Sequence, residues 1–343
     1  MIMDKILTQP EFAVRKRELL LDYDFYADEV ADLNMRIPRV TKKLTDPEWL
    51  SEKDSAVIMR AANARADYSI DLLTYNYCAG VELTELRVFY PTALEYWESY
   101  AHYHKVWHDT EADARQKRIP HFALPSSEFW DVNRMLCFGI LLGWSQLMPR
   151  LVTVVDYNNI QKDGLYERLL ICLGFDRGTP PDECLRHLPY FKTLKIFAAP
   201  PEQRASLMAE YLADWYHASR REPYHDQHKH GENGGYNFRG YWSWEAAAIT
   251  YLLDIDDSSY RDAQFYPADL VAFARAAQTA YVPAGTAPIA DNELRARAGE
   301  PCPKAGQWQT VDTPPQNRVF QQGEAMANLN SAYGLTVWRF VES

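Results

Sequence analysis

Between His217 and Glu232 the chain carries four histidines, His217, His225, His228 and His230, with Asp226 and Glu232 beside them. Imidazole and carboxylate together are the ligand set of zinc and its neighbours, which need three or four such groups to converge. A metal-dependent hydrolase using the 217–230 histidines, with Glu245 as its acid–base group, is the reaction class such a site would serve. The segment REPYHDQHKHGENGGYNFRG has the ligand types without the spacing of a known site, and its glycines favour a mobile surface loop. His102, His104 and His108 include a second pair at i,i+4 spacing. No H-E-x-x-H accompanies it, and His104 lies on an aromatic stripe, which favours packed or surface histidines. Glu245 with a histidine, or with Asp256 and Asp257, makes a third group, since paired carboxylates can do acid–base work. On helical spacing, however, Glu245 shares a stripe with Trp242, Ile249 and Leu252. A carboxylate turned toward apolar neighbours is costly unless bonded, so Glu245 reads as a buried tie satisfied by Tyr, Trp, Arg or His of another helix. Asp257, before Ser258 and Ser259, reads as a turn or cap carboxylate. With no G-x-S-x-G, Walker or kinase set either, the expectation is no catalytic residue, no metal and no cofactor.

The elements that would carry these groups are helices. Glu11 to about Leu44 reads as one long helix, and Pro47 to about Cys78 as a second. After Gly80 comes a third, whose stripe of Leu83, Leu86, Tyr90, Ala93, Trp97, Tyr100, His104 and Trp107 steps by three and four residues. Asp109–Pro125 reads as a polar connector. Ser126 or Ser127 opens a helix running to Met148, where Pro149 ends or kinks it. Shorter helices follow at 150–160 and 164–173, and another at Pro201–Arg220. A helix through Glu245 and one opening at Pro267, with Asp269 in its first turn, complete the series. After Gln278 the pattern alternates instead. Gln307–Val311, Arg318–Phe320 and Leu335–Val341 read as strands. The fold class is therefore mainly α, a two-part helical bundle body with a small C-terminal β module. Its parts are an N-terminal helical half at 1–159, a C-terminal half at 160–279, a Pro/Gly/Ala linker at 280–290 and a β appendage at 291–343.

The run G-Y-W-S-W-E-A-A-A, then L-L-D-I-D-D-S-S, then Y-P-A-D-L, resembles the C-terminal half of the PoNi-type immunity proteins, antidotes to PoNe-type DNase toxins delivered in bacterial competition such as type VI secretion. Gly240, Tyr241, Trp242, Glu245, Asp256, Asp257, Tyr266, Pro267, Asp269 and Leu270 match that signature. The likeness extends over roughly the first 279 residues and is densest after about residue 150. It implies a non-enzymatic protein whose partner is a cognate nuclease toxin, neutralised by covering its basic DNA-binding or active-site surface. The tail segments G-E-P-C-P-K-A-G-Q-W, F-Q-Q-G-E and T-V-W resemble an appendage of proteins from toxin–immunity loci, which assigns it no role.

Composition agrees with a packed, acidic, intracellular protein. Hydrophobic content is 47%, with 10 Trp and 22 Tyr, enough for a large core. The formal charge of −11 disfavours direct contact with nucleic acid or anionic membranes, and it suits a basic protein partner. Asp24, Asp28 and Asp32, at four-residue spacing on the first helix, and Asp254, Asp256 and Asp257 are the candidate toxin-facing carboxylates. The N-terminus lacks a secretory pattern and no apolar run reaches membrane length, so the expected location is the cytoplasm. Cys78, Cys137, Cys172, Cys184 and Cys302 form no C-x-x-C pair and read as buried reduced thiols.

Overall fold

A computed structural model of the protein describes residues 3, 5–229, 237–280, 295–310, 316–329 and 336–341. Two compact units divide the chain, Met1–Gln278 and Thr279–Ser343. The first is helical and the second holds a small sheet, so the fold is mainly α with a C-terminal β module.

The helical unit is built around α4 (Ser55–Ala79). From Ser69 to Ala79 every residue of this helix is buried. It is enclosed chiefly by α2 (Tyr23–Leu44) and α5 (Leu83–Thr110). A helix buried on every side shows no polar stripe to solvent, and its buried polar groups, Ser69, Asp71, Thr74 and Asn76, are bonded inside the fold. Gly80 closes α4 in the left-handed region at φ 93°, the usual glycine stop. Around this core stand α1 (Gln9–Arg15), α3 (Pro47–Glu52), α6 (Ala112–Lys117), α7 (Phe129–Leu141) and α8 (Met148–Asp156). The C-terminal part of the unit adds α9 (Gly164–Cys172), α10 (Leu194–Ala198), α11 (Pro201–Ala218), α12 (Trp244–Leu252) and α13 (Ala268–Ala280). One continuous hydrophobic core runs from the first helices to the last. No helix among the described residues is long and apolar enough to cross a membrane.

The helix boundaries differ from the sequence expectation where a capping carboxylate intervenes. The helix expected from Glu11 to Leu44 is two, because Asp22 accepts from Phe25 N and starts a new one. Between them Arg17 N and Glu18 N both donate to the Cys78 carbonyl, so tertiary bonds hold the break open. Likewise Asp54 accepts from Val57 N and splits the expected Pro47–Cys78 helix into α3 and α4. The connector expected at 109–125 contains α6. Pro149 sits in the first turn of α8 rather than ending a longer helix, the position where a missing N–H costs nothing.

The β module pairs β1 (Arg295–Arg297), β2 (Gly306–Thr310), β3 (Asn317–Phe320) and β4 (Val337–Val341) in the order β1-β4-β2-β3, all antiparallel. Trp308, Phe320, Trp338, Met326 and Cys302 form its core. Each indole N–H finds a carbonyl, Trp308 at Lys304 and Trp338 at Ala327. Strand β1 is three residues with one central apolar position, too short to show a period. The linker expected at 280–290 lies outside the described residues beyond Ala280. Four of the five cysteines are buried, Cys172 is partly so, and all are free thiols.

Candidate functional site

Glu245, in the first turn of α12, is 1% exposed. Its Oε1 accepts from the Tyr211 hydroxyl at 2.6 Å, Trp215 Nε1 at 2.8 Å and Ser243 Oγ at 2.6 Å. Its Oε2 accepts from Asn133 Nδ2 at 2.9 Å. Thus α7, α11 and α12 converge on one carboxylate, held by four neutral donors. The negative charge in turn disfavours ionisation around it. Burial, with Glu245 second, holds the Tyr211 hydroxyl and the Cys137 thiol well above their ordinary pKa. A carboxylate so fully engaged has no lone pair facing an open site, and its geometry is that of a helix tie.

The residues just before α12 fasten it to the N-terminal helices. Tyr241 N donates to Glu18 Oε2 at 2.8 Å, the Tyr241 hydroxyl shares a 2.6 Å bond with His228 Nδ1, and Trp242 Nε1 donates to Cys78 Sγ. Burial pushes the Glu18 carboxyl up, partly offset by the Tyr241 and Leu20 amides. Gly240 makes the close approach possible. Its φ is +80°, and a Cβ there would stand 2.6 Å from Cys78 Sγ. Gly240→Ala is expected to lower stability by about 1–3 kcal/mol through strain and overlap together, read as a shift in urea midpoint. An unchanged midpoint would show that the 237–243 segment relaxes freely.

Downstream, Asp257 is only 2% exposed. It accepts from Arg261 Nη2 at 2.5 Å, Arg275 Nη1 at 3.3 Å and the Tyr266 hydroxyl at 3.1 Å. Burial would raise its pKa, but these partners outweigh it and the group lies below the ordinary carboxylate value. Asp257 is therefore corrected from a toxin-facing candidate to a structural carboxylate, because its oxygens are spent inside the fold. Asp269 receives Tyr77 Oη at 2.6 Å and pairs with Arg17. Pro267 precedes α13, with its carbonyl accepting from Leu270 N.

One network was not anticipated. Asp71 on α4 accepts two bonds from Arg239, both at 2.7 Å, and one from Arg134 Nη1 at 3.1 Å. Arg134 also reaches Thr74 and Asp131 and lies 3.9 Å from the Trp130 ring centroid. Burial alone would raise Asp71, but Arg239 and Arg134 bring it below its ordinary pKa. The available signal was an arginine in the apolar run FWDVNRMLCFGIL, three residues after an aspartate.

Among the described residues, His217, His225 and His228 do not gather into a metal-binding group. His217 contacts Arg220, His225 packs against the Tyr216 ring at 4.5 Å, and His228 bonds Tyr241. His230 and Glu232 lie outside the described residues, and among the described residues no group of three ligands could hold a metal. On α5, His104 and His108 are buried with His121, His104 lying 4.9 Å from the His121 ring and 6.2 Å from that of His108.

The exposed carboxylates lie elsewhere. Asp24 and Asp28 face solvent on α2, and Asp32 is paired with Arg36 at 2.6 Å. Asp254 and Asp256 are exposed at the end of α12, where Asp256 accepts from Ser258 N at 3.0 Å. This amide bond holds its pKa below the ordinary value.

Residues 161–270 match the family model described as PoNe immunity proteins (PoNi), C-terminal. The resemblance carried by Gly240–Leu270 therefore holds across that region. The crystal structure of protein PA2201 from Pseudomonas aeruginosa has the same fold, with a TM-score of 0.63 at 21% identity over 77% of this chain and 92% of that one. No match was found among curated proteins.

Proposed function

We propose that the chain is an immunity protein that binds a cognate PoNe-type nuclease toxin and neutralises it by occluding its basic DNA-binding or active-site surface. The observation that carries this reading is the PoNi match over residues 161–270. The fates of the acidic groups support it. Glu245, Asp257 and Asp71 are consumed in buried networks, whereas Asp24, Asp28, Asp254 and Asp256 remain at the surface of a chain with net charge −11. A nuclease must present positive potential to phosphates, so an acidic protein is attracted to that face and competes with DNA there. Inhibition is then stoichiometric and needs no catalysis.

The test is co-purification with a PoNe-type nuclease, followed by a DNA-cleavage assay across a molar-ratio series. Cleavage should fall linearly to zero near equimolar antidote; full cleavage in excess antidote would sink the proposal. Charge reversal locates the surface. The pairs Asp24→Lys with Asp28→Lys, and Asp254→Lys with Asp256→Lys, should each weaken binding by about 10–100-fold at low salt, mostly through slower association. The loss should shrink as salt screens it, while both variants stay cooperatively folded; the second pair melts lower because it loses the Asp256–Ser258 amide bond and places Lys at the positive φ of residue 254. If both pairs bind as tightly as the parent, the toxin docks on another face.

A further inference from the structure

We propose that the cleft between the Arg186–Leu188 segment and the C-terminal end of α11 is a binding site for a small phosphate monoester. This inference is independent of the toxin-binding reading and is tested without the toxin. In a chain of net charge −11, this cavity of about 640 Å³ is lined by Arg186, Lys192, Arg220 and Arg221, with Asp214 the single carboxylate among its lining residues.

The charges within it are unequally compensated. Lys192 is paired with Asp214, and Arg186 with the buried Glu222 through bonds of 2.9 and 3.2 Å. Arg220 and Arg221 have no carboxylate partner among the described residues. Arg220 is nevertheless held in place. Its Nε donates to the His217 carbonyl at 2.9 Å, and its guanidinium also meets His217 Nε2. Arg220 is thus oriented by the end of α11 rather than by a carboxylate among the described residues. The terminus of α11 itself explains only part of this excess. A helix end carries roughly half a negative charge, which a single cation offsets. Two guanidinium groups match the two charges of a phosphate monoester at neutral pH, and arginine's planar fork suits its oxygens.

The size of the cleft leaves room for more than the bare ion. A bare phosphate would leave most of the cleft empty, whereas roughly 300–1,000 Å³ is the range of small-molecule sites. His187 lines the cleft, and Phe191, outside the lining, stacks on its ring at 4.8 Å and 17°. The imidazole face, so backed, offers a platform for the organic part of the ester.

Calorimetric titration of the full chain with inorganic phosphate, ribose 5-phosphate and a nucleoside 5′-monophosphate tests the assignment. Saturable one-to-one binding is expected for at least one ester, at least about tenfold tighter than for inorganic phosphate. The double variant Arg220→Ala with Arg221→Ala, at two exposed positions, should weaken that binding at least about tenfold while a native circular dichroism spectrum and a cooperative melt are retained. A preference for the nucleotide would assign the His187 face to a base, and equal binding of both esters would assign the cleft to the sugar phosphate. Three results would overturn the proposal: no saturable binding by any probe up to about 10 mM, inorganic phosphate binding as tightly as the esters, or unchanged affinity in the double variant.

Discussion

Replacing Glu245 by alanine is expected to remove about 3–5 kcal/mol of stability, measured as the fall in urea midpoint at constant m. The magnitude follows from what stays behind. Tyr211, Trp215, Ser243 and Asn133 would keep their donors in a dry interior with no acceptor, and each orphaned group carries its own desolvation cost. A side-chain-sized void between α7, α11 and α12 adds to it. Glu245→Gln separates the roles of charge and shape. Its carbonyl can keep the three bonds now made to Oε1, and an Asn133 amide flip can restore the fourth. The expected loss is therefore smaller, about 1–2 kcal/mol. On the proposed function, toxin inhibition by the folded Gln variant should match the parent. A stable Gln variant that no longer inhibits would instead place Glu245 at the functional surface and refute its role as a tie.

That role was readable from the sequence because a carboxylate on an apolar helical stripe poses a local question with few answers. The same locality made the α5 stripe and three of the four strands legible. What the sequence did not show are features decided by distant partners. The Asp71–Arg134 and Asp71–Arg239 pairs span 63 and 168 residues. Neither α4 nor α7 announces its partner, since a buried charge and a solvated one look alike in a string. The break after Arg15 is of this kind too, held by the Cys78 carbonyl and by Glu18 reaching Tyr241. The family signature shows the reverse limit. Its residues were legible as a pattern, but only the geometry reveals that Gly240, Tyr241, Trp242 and Asp269 bind the C-terminal helices to the N-terminal ones. Asp257 was grouped with Asp254 and Asp256 by sequence proximity, although a one-residue step is enough to turn a side chain from solvent into the core.

Asp67→Asn should do the opposite of the Glu245 change and stabilise the protein at neutral pH. Burial, then Asp131 and Asp71 nearby, push the Asp67 carboxyl from 3.8 up to about 8. The arginines of that neighbourhood bond Asp71 and Asp131 instead, and Asp67 receives one bond, from Asn63 Nδ2 at 3.1 Å. A carboxylic acid with a raised folded pKa holds a proton that the unfolded chain releases. It therefore costs stability increasingly as pH rises from 3.8 toward 8. At pH 7 the ceiling is roughly 4 kcal/mol at 1.36 kcal/mol per unit, and partial solvent access makes about 2–4 kcal/mol the expected gain for the neutral, isosteric amide. The gain should fall to about half by pH 5.5 and vanish near pH 4. Comparing variant with parent is essential, because other groups tilt the absolute curve the other way. His104 and His121, lowered to about 4 mainly by burial, are neutral in the fold and take up protons only on unfolding below 6.5, so they destabilise the protein as pH falls. Both histidines are present in both proteins, and their slope cancels in the difference. A stabilisation that stayed constant from pH 7 to 4, or grew on acidification, would mean that Asp67 is ionised in the fold and is compensated by a cation.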